Sequence, residues 1–540
     1  MRLRGSLSIL SKSSPYAVAT DNMGRIYTEL DTFKKYLYIT TKVEQAISNT
    51  LKKLSPNERK IIFLCGSSGD GKSAILTKLK SSYETFVSFH LDATHSFSPH
   101  EDAIQTLDSV FHKHDQKFKP LVVGINTGML GNYSQEGANE RIKSAIAKYL
   151  ETGEQQSDVH FINFEDFPKF ELDDSGLRVK FAEELLDKLT SNSELNPFYK
   201  ACQFTKENKP SLEEQILIAN YELLCLSAVK KTVIELLFKA RVYKNQFLTA
   251  RALLDFIFEM LAGPRYLMDN LFEGVENEIG QKLADFDPAN IRTKSVDRFI
   301  LAANLGIHEE AFDQFESDVT TQLRINLTNT ENNAQSYLRL FYLLMPEPFS
   351  NDYHKEFSEA FSDEDLSGYI KLYRLHMEAA KYEDRLAVRD FYSKQLRPAL
   401  RHFNNRSGRK LEKNQYLVSE AQGFAIAAKI DIKFDRIKLL EAIQRDQNKA
   451  PNISHFEAHI SVNSNPASIL VNANLYKLIN KINDGYRPNR HDKNAIILLD
   501  ELNDDIAQIA NQSNTLQFIT DSKTILVEQV DKDEFEVSGL

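Results

Sequence analysis

The spacing of apolar positions changes character near Leu172. Before that point two kinds of run alternate. KIIFLCG (Lys60 to Gly66) is short and almost continuously apolar, as in a strand buried on both faces of a parallel sheet, and KSAILTKLK after it has helical spacing. The same alternation predicts strands over Phe86 to Asp92, Pro120 to Asn126 and Val159 to Asp166, with helices over Pro99 to Phe118 and Glu136 to Leu150. Upstream, Phe33, Leu37, Val43 and Ile47 predict one helix over Asp31 to Leu54, ended by Ser55-Pro56-Asn57. Strand and helix in alternation imply an α/β sandwich.

Beyond Leu172 helical spacing dominates. Ser211 with Glu214 forms a capping box, and amphipathic stretches follow at Lys231 to Arg241 and Leu248 to Leu261. Short β-like runs return after Gln415, at Phe424, at Phe456 and near the end, around helices at Asn472 to Lys481 and Ala495 to Ala510. The pattern divides the chain into an N-terminal helical segment (1–56), a nucleotide-binding core (57–172), a helical lid (173–265), a helical domain (266–412) and a mixed α+β C-terminal domain (413–540).

Between the first strand and its helix stands Gly66-Ser67-Ser68-Gly69-Asp70-Gly71-Lys72-Ser73, which satisfies GxxxxGK[ST] at every constrained position. Glycines let such a loop wrap phosphate closely, with backbone N–H groups and the positive end of the next helix aimed at the anion. Lys72 is expected to reach the β- and γ-phosphates of ATP, and the Ser73 hydroxyl to ligate Mg²⁺. The fold class expected is therefore a P-loop NTPase core of AAA or STAND type, with a helical lid and a mixed C-terminal domain.

Hydrolysis needs an acidic residue at a strand end, to hold the metal's water shell and polarise the attacking water. Asp92, the Glu165-Asp166 pair and Asp500-Glu501 compete for that role. The last pair sits among Ile497, Ile506 and Ile509 at helical spacing, so it reads as part of an amphipathic helix. Asp166 is favoured slightly over Asp92. Asn126 and Thr127, polar where an apolar strand ends, suit a side chain that senses the γ-phosphate. Arg251, opening a helix after the core, resembles the lid arginine of AAA-type ATPases, a role that suits its planar charged fork.

A net charge of −10 argues against a generally basic, nucleic-acid-coating protein. One local patch opposes that background: Lys394, Arg397, Arg401, His402, Arg406, Arg409, Lys410 and Lys413. His90, His95, His100, His112 and His114 match no zinc spacing, and no cysteine lies near them. The residues from Glu171 to Lys180 make no nuclease constellation. Cys65, Cys202 and Cys225 form no disulfide framework, which fits a reducing cytoplasm. No signal peptide or membrane span is expected.

IIFLCGSSGDGKSAIL, HLDATHS, LVVGINTGML and NLYKLINKINDGYRPNRHDKNAIILLDEL together resemble the F component of the Dpt phosphorothioation-dependent DNA restriction system, over most of the chain. The resemblance implies a cytoplasmic ATP-binding subunit that acts with G and H partners on DNA lacking backbone sulphur. DNA would be contacted directly or through those partners, with Arg397, Arg401, Arg406, Arg409 and Lys410 as the candidate patch, and self-association is compatible with it. Gly66, Gly71, Lys72 and Ser73 carry the family's P-loop positions. Two other readings compete on the residues alone: a nucleotide-gated scaffold with little turnover, and a P-loop kinase with Asp92 near its acceptor.

Overall fold

The computed structural model describes all residues except 15–27, 95–100, 118, 174–175, 274–275, 328–332, 380–381, 406–410, 412–414, 422, 447–451, 521–522, 532–533 and 540. The chain forms two compact units, Met1–Ser362 and Asp363–Leu540, so the unit boundary falls within the segment 266–412.

The first unit contains a parallel sheet of four strands: β1 (Ile61–Gly66), β2 (Ser88–His90), β3 (Leu121–Asn126) and β4 (Val159–Asn163), in the spatial order β2-β3-β1-β4. Every residue of β1 is buried, which explains its unbroken apolar run. Alternate side chains face opposite layers. Ile61, Phe63, Val123, Ile125 and Phe161 pack against the helices Ala103–Asp115, Thr127–Glu136 and Glu140–Thr152, while Ile62, Leu64, Val122 and Ile162 pack against Lys42–Lys52 and Lys72–Tyr83. Helices on both faces of a parallel sheet give the α/β architecture expected from the alternation.

Three local expectations need correction, the first being that the strand expected to reach Asp166 ends at Asn163, before a 3-10 turn over Phe164–Asp166. The helix expected over Asp31 to Leu54 is two helices, Glu29–Leu37 and Lys42–Lys52. Tyr38 is extended, and the Thr41 side chain accepts from the Glu44 N–H to cap a new start. The helix expected from Glu136 begins at Glu140, after a separate helix Thr127–Glu136 whose two glycines weaken its helical signal. After β4 come a short hairpin (Glu171–Asp173 with Gly176–Arg178) and then helices. Ser211 caps Leu212–Cys225 through the reciprocal box read in the sequence. Within the helical region Arg339 is buried, donating to Asp287 at 3.0 and 2.6 Å and to Asp269 at 2.9 Å.

In the second unit a five-stranded antiparallel sheet runs in the order Glu534–Gly539, Thr524–Asp531, Thr515–Ile519, Phe424–Lys429, Gln415–Ala421. A three-stranded sheet combines Asn465–Asn472, His455–Val462 and Ile432–Phe434. Asp500 and Glu501 lie in the helix Lys493–Asn511, whose buried stripe is Ala495, Leu499, Leu502, Ile506 and Ala510. Ile497 faces solvent instead of sharing that stripe. Among the described residues no helix is long and apolar enough to cross a membrane.

Candidate functional site

Parallel pairing brings three strand ends to one edge. In register, Gly66 of β1 lies beside Asn126 of β3, and Cys65 lies beside Asn163 of β4. The Gly66–Ser73 loop leaves β1 at this edge and turns into the helix Lys72–Tyr83. Gly69 and Gly71 have φ of +85° and +97°, the left-handed region that a side chain disfavours. A Cβ on Gly71 would meet nothing within 4 Å, so this glycine serves backbone conformation alone. Gly66 serves space: a Cβ there would lie 2.9 Å from Asp70 Oδ2 and 2.9 Å from the Phe164 ring.

Lys72 folds back over its own loop, its Nζ donating to the carbonyls of Gly66 at 3.0 Å and Ser67 at 2.8 Å. Burial lowers its pKa from the ordinary lysine value, with the Asp70 and then the Asp92 carboxylate pulling it upward. Ser73 follows on the first turn of the helix, partly exposed. Ser67 and Ser68 are exposed, while the Asp70 side chain turns inward, accepts from Ser67 N–H at 2.7 Å and pairs with Lys169.

Asp92 lies just past β2. The Ala93 N–H donates to the Gly124 carbonyl at 2.9 Å, which keeps this segment beside β3 beyond His90. Gly124 makes that approach possible, since a Cβ there would lie 2.5 Å from the Leu91 carbonyl oxygen. Asp92 Oδ1 accepts from the Thr94 amide at 3.0 Å and hydroxyl at 2.7 Å. Asn126 caps the helix Thr127–Glu136, its Oδ1 accepting from Met129 N–H at 2.6 Å. Asp166 ends the 3-10 turn Phe164–Asp166, capped by Asn163. Desolvation raises the Asp166 pKa, and its charge acts on Cys65, itself raised to about 12 chiefly by burial.

Arg251 is the second residue of the helix Ala250–Ala262, and its backbone N–H donates to the Gly69 carbonyl at 3.1 Å. The Thr249 hydroxyl caps the same helix and borders Gly69. The structure thus brings the loop, Asp92, Asn126, Asp166 and Arg251 together at the sheet edge. Asp500 and Glu501 belong to the other unit. Sequence reasoning missed Lys169, a lone lysine in EDFPKFEL that no motif singles out.

Of the histidines, His90 and His114 are buried with pKa values lowered by desolvation, and His112 meets Gln116 on a helix surface. His95 and His100 lie outside the described residues, as do Arg406, Arg409, Lys410 and Lys413 of the basic patch. Lys394 pairs with Asp390 at 2.6 Å, and Arg397, Arg401 and His402 share the helix Arg397–Asn404. Among the described residues no group of three or more His, Cys, Asp or Glu side chains is arranged to hold a metal ion. No protein-family model matches the chain, and no curated protein matches it.

Proposed function

We propose that the chain binds ATP with Mg²⁺ at the Gly66–Ser73 loop and hydrolyses it, as a subunit of a bacterial multi-protein complex that restricts DNA lacking phosphorothioate. The observation that carries the nucleotide reading is a glycine loop with two left-handed glycines, Gly69 and Gly71, set between a buried parallel strand and a helix and overlain by Lys72. Such a loop supplies convergent amide donors and an ammonium group, the donor set a polyphosphate needs. The donors lie at one protein edge, beside carboxylates suited to a hydrated cation. The place in a restriction complex with G and H partners rests on the sequence resemblance.

Magnesium, when bound, offsets phosphate charge and orients the terminal group. Lys72 then trades the Gly66 and Ser67 carbonyls for phosphate oxygens. Ser73 offers its hydroxyl to the cation. Asp92 and Asp166 are the candidate acids for its water shell: the Asp92 carboxylate acts on Lys72, and that of Asp166 on Cys65 at the end of β1. Asn126 lies beside Gly66 in the β1–β3 register, suited to orient the attacking water.

Lys72→Ala tests the reading in the full chain. The expected result is loss of nucleotide binding, of phosphate release and of restriction in cells; unchanged binding and restriction together would reject it. The scaffold reading draws on the engagement of Asp92 Oδ1 by Thr94. Tight ATP binding without phosphate release, even with DNA and partner subunits, would favour that alternative.

A further inference from the structure

A carboxylate is an odd component for a loop that grips a polyanion, yet Asp70 stands in its middle with a side chain 4% exposed. It fills the space that the missing Gly66 side chain leaves, and a Cβ there would lie 2.9 Å from Asp70 Oδ2. Two groups hold it. Ser67 N–H donates to Oδ2 at 2.7 Å, bracing the start of the loop, and the Lys169 ammonium binds Oδ1.

Lys169 comes from outside the loop, 99 residues further along the chain. Its neighbours fix the backbone that carries it. The half-buried Phe167 packs against the core cluster that includes Ile75, Leu76 and Phe164, and the buried Phe170 meets the Phe238 ring edge-on at 6.2 Å. An unpaired buried carboxylate at this point would repel phosphate and disfavour the loop's own shape; a cation held against it removes both penalties.

We propose that Lys169 is a positioning residue for nucleotide binding. It neutralises Asp70 and holds the Ser67–Asp70 arch in its phosphate-accepting shape, without itself touching phosphate. The inference rests on the triphosphate reading above. It requires Lys169 to act through Asp70, so its effect vanishes once Asp70 carries no charge.

The test measures dissociation constants of fluorescent ATP and ADP analogues with Mg²⁺, using the full chain. Lys169→Met is expected to weaken both nucleotides to the same degree, by roughly tenfold or more, because removing the cation strands the buried Asp70 carboxylate. Lys169→Arg keeps the charge and stays within about threefold of the parent. Adding Asp70→Asn to Lys169→Met is expected to restore affinity to within about threefold, since the amide oxygen still accepts from Ser67 N–H and no charge remains to offset. A double variant as weak as Lys169→Met overturns the proposal, because Lys169 would then act on the nucleotide directly. Parent-like binding by Lys169→Met, with binding lost in Lys72→Ala, overturns it while leaving the nucleotide reading in place. Parent-like binding together with unchanged restriction in Lys72→Ala removes that reading, and this inference with it. Should Lys169→Met not fold, the double variant decides: recovered folding and binding support the proposal, and a folded double variant with weak binding overturns it.

Discussion

Gly66 and Gly71 have no side chain for different reasons, and the difference is measurable. At Gly66 a methyl group would be driven against the Asp70 carboxylate and the buried Phe164 ring. Gly66→Ala is therefore expected to reduce stability by about 1–3 kcal/mol, the usual range for overpacking, and to lower nucleotide affinity. Chemical denaturation and analogue binding would register both effects. Gly71→Ala meets open space and suffers only from its positive φ. Lys72 gives a pH signature. Burial lowers its pKa in the free protein, and bound phosphate would raise it again. Between those two values binding takes up a proton. Nucleotide affinity should then decline as pH rises through the free-state value, which lies below the ordinary lysine value. In Lys72→Arg, charged throughout, that decline should be absent.

At the scale of elements, the helix starts at the sheet edge serve both fold and site. Asn126 caps Thr127–Glu136 while standing beside Gly66. Asn126→Asp keeps the acceptor for Met129 N–H, so melting should be nearly unchanged, yet a charge in place of an amide should slow phosphate release with nucleotide still bound. Asn126→Ala also loses the cap, at about 1 kcal/mol. If Asn126→Asp turned over like the parent, the residue would be a cap alone. In the helical region the Arg339 fork ties Asn333–Leu344 to Asp269 and Asp287. Arg339→Leu would strand two buried carboxylates and is expected to destabilise the first unit by about 3–5 kcal/mol in a denaturant titration.

For the whole molecule, the chain divides into two compact units. The loop, Asp92, Asn126, Asp166, Lys169 and Arg251 all lie within Met1–Ser362. The fragment Met1–Ser362 is expected to bind nucleotide as the full chain does; a folded fragment that fails to bind would show that the site needs residues beyond Ser362. The second unit carries an acid-sensitive group. His376 is buried against Phe456, with ring nitrogens at the Leu372 carbonyl and the Tyr392 hydroxyl, and burial lowers its pKa to about 4 from 6.5. Between those values the unfolded chain binds the proton that the folded one refuses. Stability is therefore full above about pH 6.5 and falls toward pH 4, by roughly 3 kcal/mol from this group. His376→Phe should flatten that part of the acid stability profile.

Much of this protein was legible from order along the chain. The buried run Ile61–Gly66, the glycine loop and the Ser211 box are local signals, set by neighbours within a few residues, and they appear where the sequence places them. The amphipathic helix around Asp500 was legible for the same reason, although Ile497 turned out to face solvent. What the chain order did not contain was pairing. Strand register set Asn126 beside Gly66, the absence of a side chain at Gly124 drew Leu91 and with it Asp92 along β3, and a distant lysine came to rest on Asp70. Such contacts join residues far apart in sequence, and no periodicity encodes them. They are chosen by the shape of the packed sheet edge and by the need to pair a buried charge.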